Sequence, residues 1–431
     1  MKALLIILAL WALAGGAIAA TESSMTNVSL DEAKKFAIEH NHDVHALRRG
    51  VEEARSKAGR ARSHFFPTLG IAGGADTQIT STGKQAVPVG YLYGNYNLFS
   101  GFEDTYRLQI ANLEVDKSEI KVKRAEFRVG LEVERIFHLY LFKKGAIELR
   151  KEGLALNESH RKIALQRKAS GISSETDVME FDLRDSLLRS DLLLIEQELE
   201  EARSNLKRLL GEEVGSKIEP IGKLQHQHIN GTLNDYVKRI KDESEPVLIA
   251  SKDVASTTIE SKIGRSRWLP VLDLHLHAGY VPLDERPARG DAAVAATVLA
   301  KWDLFSGFDS LWERRELEAK RGKAEHELKD ALLNGMVDME VSFRKIRTIQ
   351  SRVDLEEKNA ERSEKYYKSV LSEYRRGVKN SADLKAAAEQ LYEARLRGEE
   401  YKFQFLNERI ALEKALGGPV ETEVVAAGHE K

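Results

Sequence analysis

The sequence predicts a mainly α-helical protein with β-hairpins at one end, written as two tandem repeats of helix–strand–strand–long helix–helix. Three observations carry this reading. The first is internal repetition. Asn97-Leu98-Phe99-Ser100-Gly101-Phe102 recurs as Asp303-Leu304-Phe305-Ser306-Gly307-Phe308, 206 residues later. The same offset relates Leu165 to Leu371, Gly171 to Gly377, Asp177 to Asp383, Leu210 to Leu416 and Gly211 to Gly417. An offset of 203 relates Val44 to Val247, Val51 to Val254 and Pro67 to Pro270. Solenoid units are about 20–50 residues long, so this period describes one large architectural unit duplicated. The second observation is the scarcity of Pro, eight in 431 residues, which leaves room for long unbroken helices. The third is the alternation of apolar and polar residues ahead of the second Phe-Ser-Gly-Phe motif, the period of a strand.

Taken in order, Met1-Lys2, the apolar run Ala3 to Ala14, the Gly15-Gly16 break and the small residues Ala17 and Ala19 read as a secretory signal over residues 1–19. No later run approaches the ~20 apolar residues that a spanning helix needs, so membrane insertion would have to use strands. The first repeat covers 28–211 and the second 232–417, with a linker at 212–231 and a tail at 418–431 expected to be flexible. Ser29 with Glu32 three residues on is a capping box that opens a helix running to about Arg62. Two strands follow within about 64–98, turning at Ser81–Gln85. The Pro-free stretch from Glu103 to Lys168 predicts one helix of about 100 Å at 1.5 Å per residue. Residues 169–174 turn the chain, and a last helix runs from Glu175 to Leu210, ended by Gly211. The first and last helices together match the middle one in length, which predicts that they stack end to end beside it. In the second repeat the strands fall at about 267–304 and the turn at 375–380.

The apolar positions say what these elements pack against. Leu188, Leu192, Ile195, Leu199, Ala202, Leu206 and Leu209 alternate four and three apart, a coiled-coil seam. Their counterparts Leu384, Ala387, Leu391, Ala394, Gly398, Tyr401 and Phe405 include small residues that let backbones approach. In the second hairpin Leu272, Leu274, Leu276 and Ala278 alternate with Asp273, His275, His277 and Gly279, and Val294, Ala296, Val298 and Ala300 occupy every second position across the turn. Strands of this kind fit a membrane barrel with lipid outside and water inside. Tyr91, Tyr93, Tyr96, Phe99, Phe65 and Phe66 are candidates for its aromatic girdle. Four strands cannot close, since about eight are needed before side chains fill a barrel, and an open edge is not tolerated in hydrocarbon. An obligate oligomer follows, whether dimer, trimer or tetramer.

Other chemistry is excluded or unsupported. With 66 basic against 68 acidic residues the net charge is −2, so nothing draws the chain to nucleic acid. Cys is absent, which removes disulfides, thiolate metal sites and Cys nucleophiles. His40, His42 and His45, His226 with His228, and His275 with His277 lack a two-His-plus-carboxylate helical spacing, and no metal site is assigned. His275 and His277 do share one strand face. No phosphate-binding loop is present, so any energy source lies in a partner. No catalysis and no cofactor are expected.

The Pro-initiated strand Phe66-Pro67-Thr68-Leu69, the Leu-Phe-Ser-Gly lead-in to each long helix, and the Gly-x-x-x-x-x-Asp-Val/Leu turn in both halves resemble the TolC-type outer membrane efflux proteins over residues 28–417. The resemblance implies a homotrimer with a 12-stranded outer-membrane β-barrel, seated in outer-membrane lipid and continued by a periplasmic α-helical tunnel. It implies an exit duct of a tripartite efflux pump or type I secretion system. The partners would be a periplasmic adaptor (membrane fusion protein) and an inner-membrane pump of RND, ABC or MFS type. Carried over by position, Gly171, Ile172, Ser173, Gly377 and Val378 lie at the adaptor-docking tip turns. The family's tip gate of Asp, Tyr and Arg falls on Asp177, Tyr374 and Lys379. Lysine here turns a bidentate fork into a point charge. Asp383 matches a lumen acidic ring, whose second member falls on Ala386. Helix N-terminal capping is the plainer role for Asp177 and Asp383. The rival reading of the whole chain is a periplasmic coiled-coil adaptor or scaffold without its own pore.

Overall fold

The computed structural model describes residues 27–80, 83–211, 218–225, 227–280 and 293–424. The expected signal segment 1–19 and the tip of the first hairpin turn, Ser81 and Thr82, lie outside them. In the first repeat β1 (Asn27–Val28) leads into α1 (Leu30–His40), α2 (His42–Ser63), β2 (Thr68–Thr80), β3 (Gly83–Phe99), α3 (Glu103–Ala169) and α4 (Glu175–Leu210). β4 (Glu219–Pro220) and β5 (Gln227–Ile229) follow. The second repeat is α5 (Leu233–Glu243), α6 (Glu245–Ser266), β6 (Val271–Tyr280), β7 (Ala293–Lys301), α7 (Asp309–Arg375) and α8 (Ser381–Leu416), closed by β8 (Thr422–Val424). α3 and α7 are 67 residues each, and α4 and α8 are 36 each.

The opening helix of each repeat is broken where a single helix was expected. Asn41 leaves the helical region (φ −70°, ψ 122°) and its side chain accepts from Val44 N at 3.0 Å, so it ends α1 and caps α2. A short polar side chain that bonds its own backbone competes with the helix at that point. Ser244 also leaves the helical region (φ −69°, ψ 122°) between α5 and α6, but without a side-chain cap bond; there Pro246, at the start of α6, fits a first helical turn and no later one. Along the first repeat α3 packs on α1 and α2 and then on α4. A Cβ built on Gly211 would stand 3.9 Å from the His40 side chain, and Ala33 and Ala37 of α1 share a core with Leu206 and Leu210, so α1 lies beside the end of α4.

Linker and tail also differ from expectation. β1 pairs with β4 in parallel, and β5 pairs with β8 antiparallel. Val420 is buried, and its N–H donates to Glu413 Oε1 at 3.1 Å. The described parts of 212–231 and 418–431 are therefore straps bound to the middle of the rods. Strands of two or three residues are too short to show a period.

Three cores hold the rods. Val28, Ala37, Val133, Phe137, Tyr140, Leu206 and Leu210 fill the middle of the first repeat. Ile240, Val247, Met339, Ile346, Phe405, Leu412 and Leu416 fill that of the second. At the far end Ala164, Val178, Phe181, Tyr374, Leu384 and Leu391 join α3, α4, α7 and α8 of the two repeats. The α8 seam is buried at Leu384, Ala387, Leu391, Ala394 and Phe405. The buried Glu134 on α3 takes ion pairs from Lys34 on α1 and Arg409 on α8, which ties the repeats together at mid-height.

At the opposite end the strands form one antiparallel sheet in the order β2-β3-β6-β7. Its two outer strands, β2 and β7, have no partner beyond them among the described residues.

Candidate functional site

Register sorts the sheet into two faces. Leu69 stands opposite Gly94, Gly94 opposite Leu276, and Leu276 opposite Ala296. Alternation then puts Leu69, Ile71, Leu92, Leu274, Leu276, Val294 and Val298 on one face. These side chains are largely exposed, Leu69 and Ile71 to 81% and Val294 to 86%, so this apolar surface has no layer over it within the chain. The other face carries Tyr91, Tyr93, Asn95, Asn97, Asp273, His275, His277 and Thr297, with Leu299 among them. Polar groups bond along it: Asn97 Nδ2 donates to Asp273 Oδ1 at 2.9 Å, and His275 Nδ1 lies 2.8 Å from Asn95 Oδ1. Tyr91 meets His277 edge-on at 5.5 Å between ring centroids. Tyr93 lies across Gly70, where any Cβ would stand 2.4 Å from the ring. Tyr91 and Tyr93 are thus on the polar face, opposite the one that carries Leu69, Ile71 and Leu276. The exposed aromatics at the junction of sheet and helices include Phe65, Phe66, Phe102, Trp268, Trp302, Phe305, Phe308 and Trp312. Trp302 Nε1 donates to the Trp268 carbonyl at 3.1 Å, the amphipathic arrangement favoured at a membrane interface.

The helical end is the second candidate region. Gly171 (φ 70°) and Gly377 (φ 82°) supply the left-handed backbone of its two turns. The turns lie side by side, with a Cβ built on Gly377 reaching 4.0 Å from the Ile172 side chain. Ile172 and Val378 project from them, 62% and 70% exposed. Beneath, Ser174 and Asn380 cap α4 and α8, each in a capping box completed by Asp177 or Asp383. Asp177 does more than cap. It accepts from Ser173 Oγ at 2.5 Å, Ser174 N at 3.0 Å and Ser381 Oγ at 2.5 Å, so it links the two repeats. The Ser173 and Ser381 hydroxyls hold its carboxyl down to about 2. Glu180 sits 3.1 Å from Ser381 Oγ and pairs with Lys385 at 3.2 Å.

Within one chain the structure does not bring Lys379 to Asp177 or Tyr374. Lys379 Nζ reaches only Asp383, in its own helix, at 4.0 Å. Tyr374 is buried, and the cation over its ring is Arg167, 4.3 Å from the centroid, which also donates to the Tyr374 carbonyl. Arg167, Ser381 and Glu180 are the tip residues that sequence reasoning missed. Arg167 has no basic counterpart at the 206-residue offset, where Glu373 stands, so the repeat gave no signal.

Among the described residues no helix is long and apolar enough to cross a membrane, and no group of three or more His, Asp or Glu converges as a metal cluster. A sheet with an uncovered apolar face, set on paired rods, is the architecture of a membrane duct. The chain belongs to the Outer membrane efflux protein family, whose model matches residues 35–212 and 238–418. Its fold is that of solved outer-membrane channels. VceC of Vibrio cholerae superposes with a TM-score of 0.76 at 17% identity, over 91% of this chain and 97% of that one. The Neisseria gonorrhoeae MtrE outer membrane channel gives 0.75 at 16%, over 90% and 89%. The outer-membrane channel OprN gives 0.74 at 17%, over 90% of each. No curated protein matches at a significant level. The protein is an outer-membrane exit duct for efflux with a periplasmic helical extension, and not an enzyme.

Proposed function

We propose that three copies pool their sheets into one closed barrel of twelve strands, four from each chain, and their rods into a periplasmic tunnel. The single observation behind this is the four-stranded sheet with two free edges and an exposed apolar face. In hydrocarbon every strand edge must be paired, which one chain cannot do. The helices support the same reading: α4 exposes Leu183, Leu187 and Leu194, and α7 exposes Leu333, Val337 and Val341, all at helical spacing and available to neighbouring copies. The duct conducts passively and serves a tripartite efflux pump or type I secretion system. A periplasmic adaptor docks on the apolar knobs Ile172 and Val378 and couples the duct to an inner-membrane pump. The resting gate is the tip, held by Asp177 across to Ser381 and by Arg167 against Tyr374, with Lys379 outside the lock.

Mass measurement of the detergent-extracted protein tests assembly, with three chains per particle expected. A monomer that stays soluble without detergent would favour a scaffold instead. Planar-bilayer recording tests the gate: Arg167→Ala should raise the closed-state conductance severalfold and Lys379→Ala should leave it near wild type. The opposite pattern would return the lock to Lys379.

A further inference from the structure

We propose that the polar face of β6 is a binding site for a divalent transition-metal ion, with His275 and His277 as its imidazole ligands. The inference rests on the reading that this face looks into the duct. The two side chains leave the same face of one strand about 6.6 Å apart, within reach of one ion held at about 2.0–2.1 Å from each ring nitrogen. Asn95 stands directly opposite His275 on β3, and its Oδ1 accepts from His275 Nδ1–H at 2.8 Å. That bond sets the tautomer: the proton stays on Nδ1, and Nε2 keeps its lone pair for a ligand. A fixed acceptor behind the ring is the support that metal-binding histidines use.

His277 is braced on its flank by the Tyr91 ring, and no hydrogen bond engages its nitrogens among the described residues. Across from the pair on β7 stand the small residues Thr297 and Ala295, while on β3 Tyr93 stands opposite His277. Asp273, two residues back on the same face, keeps its carboxylate beside the site while accepting from Asn97. The same-face cation Lys301 is drawn aside to Asp303 at 3.6 Å. With two protein ligands and water in the other positions, the site is weak and open, a place of transit more than storage. Imidazole donors and the general affinity order put Cu²⁺ ahead of Ni²⁺ and Zn²⁺.

The test uses the full mature protein in detergent, free of any purification tag, titrated with Cu²⁺ alone and followed by calorimetry and electron paramagnetic resonance. Wild type should take one Cu²⁺ per chain at this site, with hyperfine coupling to two ring nitrogens. His275→Gln with His277→Gln should abolish that equivalent, and Asn95→Leu should weaken it about tenfold by freeing the tautomer. If the double variant does not assemble, His277→Gln alone keeps the Asn95 bond and should reduce the coupling to one nitrogen. Unchanged binding in these variants, or its loss on replacing His40, His42 and His45 instead, would overturn the proposal. The chain has no Cys, so Thr297→Cys and Val298→Cys report the faces separately in reconstituted vesicles. A charged thiol reagent should label Thr297→Cys and spare Val298→Cys. The reverse labelling would defeat the duct-facing reading itself. Correct labelling without copper binding would defeat only the metal site.

Discussion

Phe102 and Phe308 occupy the left-handed region (φ 71° and 67°), each preceded by a Gly that does the same (Gly101 and Gly307, both φ 65°). Two consecutive left-handed residues turn each strand into its long helix. For a bulky residue this conformation costs about 1–2 kcal/mol, offset here by edge-on packing of Phe102 on Phe99 at 5.2 Å and Phe308 on Phe305 at 5.4 Å. The two glycines are not equivalent. A Cβ on Gly101 would stand 2.7 Å from the Ser266 carbonyl, whereas one on Gly307 meets nothing within 4 Å. Gly307→Ala should therefore destabilise by about 1–2 kcal/mol from the backbone alone, and Gly101→Ala by more. Thermal unfolding of the detergent-solubilised protein checks the order, and equal losses would remove the steric argument. The repeated Phe-Ser-Gly-Phe motif was legible as a junction. That its final Phe takes positive φ was not, because packing on another aromatic decides it.

On α3 two histidines are buried inside the rods. Burial, with Lys34 nearby, pushes His138 down to about 4, and burial, with Arg375 nearby, does the same for His160. His160 Nε2 sits 2.7 Å from the Tyr367 hydroxyl, joining α3 to α7. The unfolded chain takes up these protons near pH 6.5 and the folded one only near 4. Stability is thus whole above about pH 6.5 and falls as the pH drops toward 4, by on the order of 1–3 kcal/mol per histidine. Denaturant unfolding at pH 7.5 and pH 4.5 should show this loss, and His138→Gln with His160→Gln should flatten it. An undiminished slope would place the acid sensitivity elsewhere. Asp177 acts lower: with its carboxyl held near 2, its stabilising bonds persist above the ordinary carboxylate range and are lost as pH falls from about 4 toward 2. At this scale the bounds of α4, Glu175–Leu210, were readable from the sequence, because a capping box opens it and Gly211 ends it. The break at Asn41 was not, since a cap set inside a continuous helical pattern leaves no gap in it; at Ser244 only Pro246 marks the start of α6.

For the whole molecule the decisive feature is that one sheet face is apolar and the other polar. Leu276→Arg puts a charge on the face read as meeting lipid, at a cost of about 2–4 kcal/mol near mid-membrane. Thr297→Arg puts the same charge on the opposite face, where water can reach it. Membrane fractionation and particle mass should show assembly lost in Leu276→Arg and kept in Thr297→Arg. Equal tolerance would mean that neither face meets lipid.

By itself the sequence determined the duplication, the long helices and the alternating strands. Each of these rests on local period, capping or chain length, which neighbouring residues encode directly. Only the tertiary structure decided which tyrosines share a face with His275 and His277, since strand register relates residues about 180 positions apart. It also decided that Arg167 and not Lys379 lies on Tyr374, and that the described tail residues fold back as a strap. Contacts of that kind are set by which helix faces and strand edges remain free once the rods have packed, and a linear pattern does not record that.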